Sequence, residues 1–135
     1  MKRRLITGFL LFVIGGTMVY GGLSYRAYIR FQEKVYDSWK SRSYVEVLSL
    51  MDEFENSLSY GAVSLMARYR DEFLYRQAWV EAALGNSEKA GKEFLLLSES
   101  SYVGADARFA AGVLSLNLQD LQISKDLFWK ALEQD

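Results

Sequence analysis

Two groups of neighbouring carboxylates, Asp52, Glu53 and Glu55 and then Asp71 with Glu72, are where acid–base or divalent-metal chemistry would have to sit. Close carboxylates divide acid and base roles or share a hard cation. Their spacing argues against both uses, because adjacent residues of a helix point apart and the face that carries them is expected to be wet. The chain has no histidine and no cysteine. That removes the commonest general base near neutral pH, the usual zinc and haem ligands, disulfides and lipidated cysteine anchors. Serine and lysine are plentiful but form no nucleophile motif, and no glycine-rich phosphate loop follows a strand. The expectation is a chain with no catalytic residue, no cofactor and no metal. A small membrane enzyme is the remote alternative.

Charge narrows the partners. The sequence holds 16 basic and 17 acidic residues, a net charge of −1, and neither sign gathers into a block that could track a phosphate backbone. Nucleic acid is not an expected partner. A membrane is. Met1-Lys2-Arg3-Arg4 precedes Leu5 to Tyr25, 21 residues without a charge, and a helix of that length covers about 30 Å, the thickness of a bilayer's hydrocarbon layer. A cleaved signal peptide, cut near Val19-Tyr20-Gly21, is the competing reading; the apolar run is longer than a signal requires. Tyr20, Tyr25 and Tyr28 suit the headgroup boundary at its far end.

These features predict an anchor at 1–25 and one helical domain at 26–135. Lys2, Arg3 and Arg4 draw the amino end toward the cytoplasm, opposed by Arg26, Arg30, Lys34, Lys40 and Arg42. The balance favours a bacterial inner-membrane protein, single-pass, with the domain outside the cytoplasm. Gly8, Gly15 and Gly22 recur every seven residues, a small-residue stripe on which a second membrane helix, or a second copy, could pack.

Past the anchor the pattern is helical throughout, with no proline anywhere in the chain. The anchor is expected to run without a linker into a first helix with Tyr25, Tyr28, Ile29, Tyr36 and Trp39 on one stripe. A break at Ser41-Arg42-Ser43 precedes a helix burying Tyr44, Val47, Leu48, Met51, Phe54 and Leu58. After a turn at Ser57 to Gly61, a long helix is expected from about Tyr60 to Leu84, with Phe73, Val80 and Leu84 inward. Gly85 closes it, and Asn86 is placed to cap a helix burying Ala90, Phe94 and Leu97. Ser98 to Gly104 separates this from a fifth helix with Ala107, Ala110, Leu114 and Leu118. Asp120 caps a sixth, with Leu121, Phe128, Ala131 and Leu132 inward. Three antiparallel helix pairs result.

The last two pairs repeat at 34 residues. Ala78 returns as Gly112, Val80 as Leu114, Leu84 as Leu118, Asn86 as Asp120 and Phe94 as Phe128, a period expected of stacked helix-turn-helix units. On these residues the chain resembles the tetratricopeptide repeat family. Ala78, Gly85, Ala90 and Phe94 stand where that pattern places a small residue, a glycine, an alanine and an aromatic residue. Gly112 and Phe128 match again, whereas Gln119 and Ser124 depart from it. The first pair is looser, with Tyr44, Val47 and Met51 standing in. The resemblance implies an all-α fold in which three helix pairs stack as a short solenoid behind the anchor.

It also implies a binding surface on the inner wall made by the first helix of each pair. That places Glu72, Tyr75, Arg76 and Trp79 on the wall in one repeat and Asp106, Phe109 and Val113 in the next. The lysine, asparagine and arginine set that grips a terminal carboxylate in some members is missing. Trp129 and Ile123 lie off the inward stripe of the last helix, just before the sequence stops at Asp135, and mark a second candidate contact. The expected function is a non-enzymatic, membrane-anchored adaptor or assembly factor that binds a protein through this wall. The alternative is an integral small subunit of a membrane complex, held mainly by its spanning helix. In layout, through Tyr75 to Ala78 and Asp106 to Leu114, the chain is similar to the small single-span repeat proteins that accompany bacterial ATPase and von Willebrand-type maturation machinery.

Overall fold

With no proline to stop it, the amino-terminal helix runs unbroken for 39 residues, α1 (Lys2–Lys40), a rod of about 58 Å at 1.5 Å per residue. The computed structural model describes the backbone of residues 2–117 and 121–132 and the side chains of 12–116 and 126–132. After α1 come α2 (Tyr44–Glu55), α3 (Leu58–Ser64), α4 (Ala67–Ala83), α5 (Ser87–Leu97), α6 (Gly104–Asn117) and α7 (Leu121–Leu132). The fold is all-α, with seven helices and no strand among the described residues.

The expected continuity of α1 into the domain is observed, but the residues it buries differ. Ser24, Tyr28, Phe31, Val35 and Ser38 face inward, at alternating steps of four and three that keep one stripe on a helix. Of the five residues expected there, only Tyr28 is buried; Tyr25, Ile29, Tyr36 and Trp39 are exposed. Tyr28, Phe31 and Val35 lie on the face of α1 turned to its neighbours and pack there with Phe54 and Phe73, while Tyr36 and Trp39 lie at the rim. Upstream of Tyr20 the described side chains are exposed, Phe12 at 80% and Met18 at 74%. Among the described residues no helix is long and apolar enough to cross a membrane; the side chains of Leu5 to Leu11 and the position of Gly8 lie outside that description.

The α1–α2 turn falls at Ser41-Arg42-Ser43 as expected. Ser43 N–H bonds back to Ser38 C=O at 2.9 Å and Arg42 N–H to Trp39 C=O at 2.9 Å, a paired closure that needs a left-handed residue between them. Arg42 supplies it with φ of 61°. At the end of α4 the same closure is made by Gly85, at φ of 88°, with Asn86 N–H on Glu81 C=O. Asn86 itself does not cap α5 through its side chain. Its side-chain amide nitrogen instead donates to Glu81 Oε2 at 2.7 Å, a charge-assisted hydrogen bond to a buried carboxylate.

The helix expected from Tyr60 to Leu84 is two helices. Ser57 caps α3 by accepting from Tyr60 N–H at 3.2 Å, and the chain breaks at Leu65-Met66, where Met66 is extended. α3 must lie against α1, whereas α4 must run beside α2 and α5. One straight helix cannot do both. Leu58, expected on α2, begins α3 and is exposed.

Two buried clusters result. The first joins α1 to α4 and contains Tyr28, Phe31, Val35, Val47, Met51, Phe54, Val63, Phe73 and Val80. Phe31 stacks on Phe54 with ring centres 4.3 Å apart, and Tyr60 lies 5.0 Å from Phe73. Such pairs contribute about 0.5–1.5 kcal/mol each beyond the area they bury. The second joins α4 to α7 and is half alanine: Ala78, Ala90, Ala107, Ala110 and Ala111 with Phe94, Leu97, Val103, Leu114 and Leu127. In α7 Ala131 is inward as expected, but Leu127 is buried and Leu132 exposed. The side chains of Gln119, Leu121, Ile123 and Ser124, and residues Leu118 and Asp120, lie outside the described residues.

Candidate functional site

The aromatic side chains left at the rim of α1 line a groove of the domain. α1 contributes Gln32, Tyr36 and Trp39, α2 contributes Val47 and Met51, and α4 contributes Arg76, Trp79 and Val80, around a groove of about 280 Å³. Its floor is aliphatic and its rim aromatic. Trp39 is held edge-on to Tyr44 at 5.1 Å, which fixes the indole beside the groove. Arg76 is exposed and forms no ion pair among the described residues. Arg76 acts electrostatically on Tyr28, whose phenol is pushed above its ordinary value by burial, an effect that Arg76 opposes and Glu72 reinforces. A guanidinium over an aliphatic floor suits a carboxylate next to an apolar side chain.

Trp79 has a second role. With Tyr75 it encloses Phe94, at centroid distances of 5.2 Å and 5.5 Å, while the two rings meet edge-on at 6.4 Å. Burial raises the Tyr75 phenol, with the Trp79 indole acting against it and Asp106 adding to it. Tyr75 is thus within electrostatic reach of the next repeat. Asp106 and Phe109 line a separate groove of about 380 Å³ with Ala105, Phe128, Ala131 and Leu132, where Phe109 meets Phe128 at 5.4 Å. Glu72 is paired with Arg68 at 3.1 Å and belongs to neither groove. Val113 is half-buried on α6 and Trp129 is exposed on α7. The structure therefore joins Arg76 to Trp79, Trp79 to Tyr75, and Asp106 to Phe109. Gly15 and Gly22 lie on the projecting part of α1 with open space around them.

Tyr36 and Trp39 are the contributors to the groove that sequence reasoning assigned to the core. Asp71 is a second surprise, since it is buried rather than solvated. It accepts from Ser100 Oγ at 2.7 Å and pairs with Arg70 at 3.0 Å, and Ser100 Oγ in turn accepts from Tyr102 and Val103 N–H. Asp71 thereby pins the α5–α6 loop to the start of α4. Glu81 is likewise buried, and its hydrogen bonds to Lys89 and Asn86 hold its carboxyl below the ordinary value. Asp52, Glu53 and Glu55 are exposed as expected. Among the described residues no group of acidic side chains is arranged to hold a metal ion.

Fold and grooves together define an all-α protein with one aromatic-rimmed groove between α1, α2 and α4 and another between α6 and α7. Comparison with protein-family models, with curated proteins and with solved structures gave no match.

Proposed function

We propose that this chain is a membrane-anchored, non-enzymatic adaptor of tetratricopeptide-like build that holds another protein by the groove between α1, α2 and α4. The observation that carries this reading is the meeting of Tyr36, Trp39, Arg76 and Trp79 around one cavity. Aromatic residues and arginine are the types that dominate binding energy at protein interfaces. Arg76, without an ion pair among the described residues and beside an aliphatic floor, fits a partner segment that places an acidic residue beside an aliphatic one. The uncharged run from Leu5 to Tyr25 and the exposed apolar side chains from Phe12 to Leu23 support the anchor.

Tyr75 and Trp79 pack on Phe94, so removing them would disturb the fold together with the groove. Tyr36 and Arg76 are exposed and give the cleaner test. Tyr36→Ala with Arg76→Glu is expected to abolish recovery of the partner from solubilised membranes while helical circular dichroism is unchanged. Undiminished recovery would refute the groove. A second reading, an integral subunit held through its membrane helix, draws on the unfilled space around Gly15, Gly16, Gly21 and Gly22. In that case Gly15→Leu, and not the groove pair, would release the partner.

A further inference from the structure

α3 is the one helix with no counterpart in a row of helix pairs, and its place along α1 gives it a use. Tyr20 Oη donates to Leu58 C=O, and a side chain at Gly61 would lie 4.0 Å from the same hydroxyl. Ser57 and Ser59 share a cavity of about 280 Å³ with Ala27, Arg30 and Lys34 of α1. Val63 is buried in the cluster that contains Tyr28. α3 therefore packs against α1 between the levels of Tyr20 and Arg30, and straddles Tyr25, where the uncharged run of α1 ends. An anchor seated in a bilayer up to Tyr25 would bring α3 to the membrane surface.

The side chains of this segment suit that position. Leu58 is 85% and Leu65 87% exposed, and Met66 is half-exposed, so three large apolar residues face outward from a helix and turn of only nine residues, 58–66. The exposed residues of α2 are polar apart from Val45: Glu46, Ser49, Asp52, Glu53 and Glu55. Arg30 and Lys34 line the cavity beside Ser57 and Ser59, with Glu53 the one acidic residue there, and neither basic residue forms an ion pair among the described residues. Apolar residues flanked by cations are what a headgroup boundary accepts.

We propose that α3 and the turn after it are a membrane-surface foot: Leu58, Leu65 and Met66 insert into the outer layer of a phospholipid bilayer beside the anchor, with Arg30 and Lys34 at the level of the phosphates. The foot fixes how far α1 enters the membrane and how the groove is turned relative to it. This rests on the anchor reading of residues 5–25. Because the sequence contains no cysteine, single cysteines carrying nitroxide labels can be placed at Leu58, Leu65, Met18 and Leu96 of the full chain, reconstituted in phosphatidylcholine–phosphatidylglycerol vesicles. Accessibility to oxygen against a water-soluble nickel complex then reports depth.

The expected result is a several-fold higher oxygen-to-nickel ratio at Leu58 and Leu65 than at Leu96, an exposed leucine on α5, with Met18 higher still. Ratios at Leu58 and Leu65 equal to that at Leu96, with Met18 buried in lipid, would overturn the foot and leave the anchor standing. Labels at Leu58 and Leu65 shielded from both reagents would mean that protein covers them and would overturn it too. An aqueous Met18 would remove the anchor and the foot together.

Discussion

Around Phe31, Phe54 and Phe73 the interior is made of rings, whereas in the cluster around Phe94 half of the buried side chains are alanines, with Tyr75 and Trp79 closing over the one buried ring. The first region brings together a long helix and three short ones at irregular approaches, and rings that tilt against one another fill such gaps. Interplanar angles there run from 13° between Phe31 and Phe54 to 79° between Phe54 and Tyr60. The second region sets helices side by side at close range, which small residues permit, and places one aromatic plug per pair. Added side-chain bulk shows what that closeness demands: a Cβ at Gly112 would sit 2.7 Å from the Phe128 ring. Rings adapt to geometry, while alanines dictate it.

The largest effect expected from this contrast lies in the plugs. Phe94→Ala leaves a hole between helices held apart at alanine spacing, beneath the rings of Tyr75 and Trp79, and should cost about 5 kcal/mol, whereas Phe54→Ala, among rings that can slide together, should cost about 3 kcal/mol. Urea unfolding of the full chain in detergent micelles measures both. Equal costs, or the reverse order, would erase the distinction between the two cores.

Next in size is the link between the regions. Asp71→Ala removes a charged acceptor from Ser100 and should cost about 2 kcal/mol. Ser100→Ala made in that background should cost less than in the native chain, since the contact to Asp71 is already gone and only the Tyr102 and Val103 N–H bonds remain to be lost. Additive costs would show that Asp71 stabilises α4 alone.

Gly112 offers a finer test of close packing. Alanine in a helix interior gains about 1 kcal/mol over glycine, and the displaced Phe128 ring should consume that gain, so Gly112→Ala alone is expected to be near neutral. In a Phe128→Ala background the same change should stabilise by about 1 kcal/mol. An identical effect in both backgrounds would mean that the ring does not press on α6.

The smallest effects are on the α4–α5 seam, and they have opposite signs. Glu81 has its carboxyl held down by Lys89 and Asn86. Its contribution is therefore whole above the unfolded-state value of about 4.3 and is lost as pH falls through the depressed folded value. Burial raises Glu93, whose ionised form is the disfavoured one, so its cost appears as pH rises past about 4.3 and is full above the raised folded value. At pH 7 Glu81→Gln should lower the unfolding midpoint and Glu93→Gln should raise it, each by about 1 kcal/mol or less. Both differences should fade in acid. Thermal unfolding across pH 3 to 8 checks the two signs separately.

The same contrast explains what could be read in advance. A core built from small residues and single plugs leaves a periodic mark, so Ala78 with Gly112, and Phe94 with Phe128, were visible 34 residues apart. Ring packing leaves none. Phe31 and Val35 could not be told from Tyr36 and Trp39 by spacing, because all four sit within one helix that is apolar around much of its girth. The break at Leu65-Met66 carries neither proline nor glycine and follows from where α3 and α4 must pack, which is a tertiary demand. Asp71 gave no sign of burial, since its partner Ser100 is 29 residues away. Of the groove, Arg76 and Trp79 were legible through the repeat, and the α1 side was not.

The adaptor reading is tested most directly by site-specific photocross-linking in intact membranes, with single cysteines carrying a benzophenone at Tyr36, Trp129 and Gly15. The account predicts that the probe at Tyr36 captures one protein, and that Arg76→Glu abolishes this capture. Cross-links confined to Gly15, unchanged by Arg76→Glu, would contradict it and make the membrane helix the functional contact.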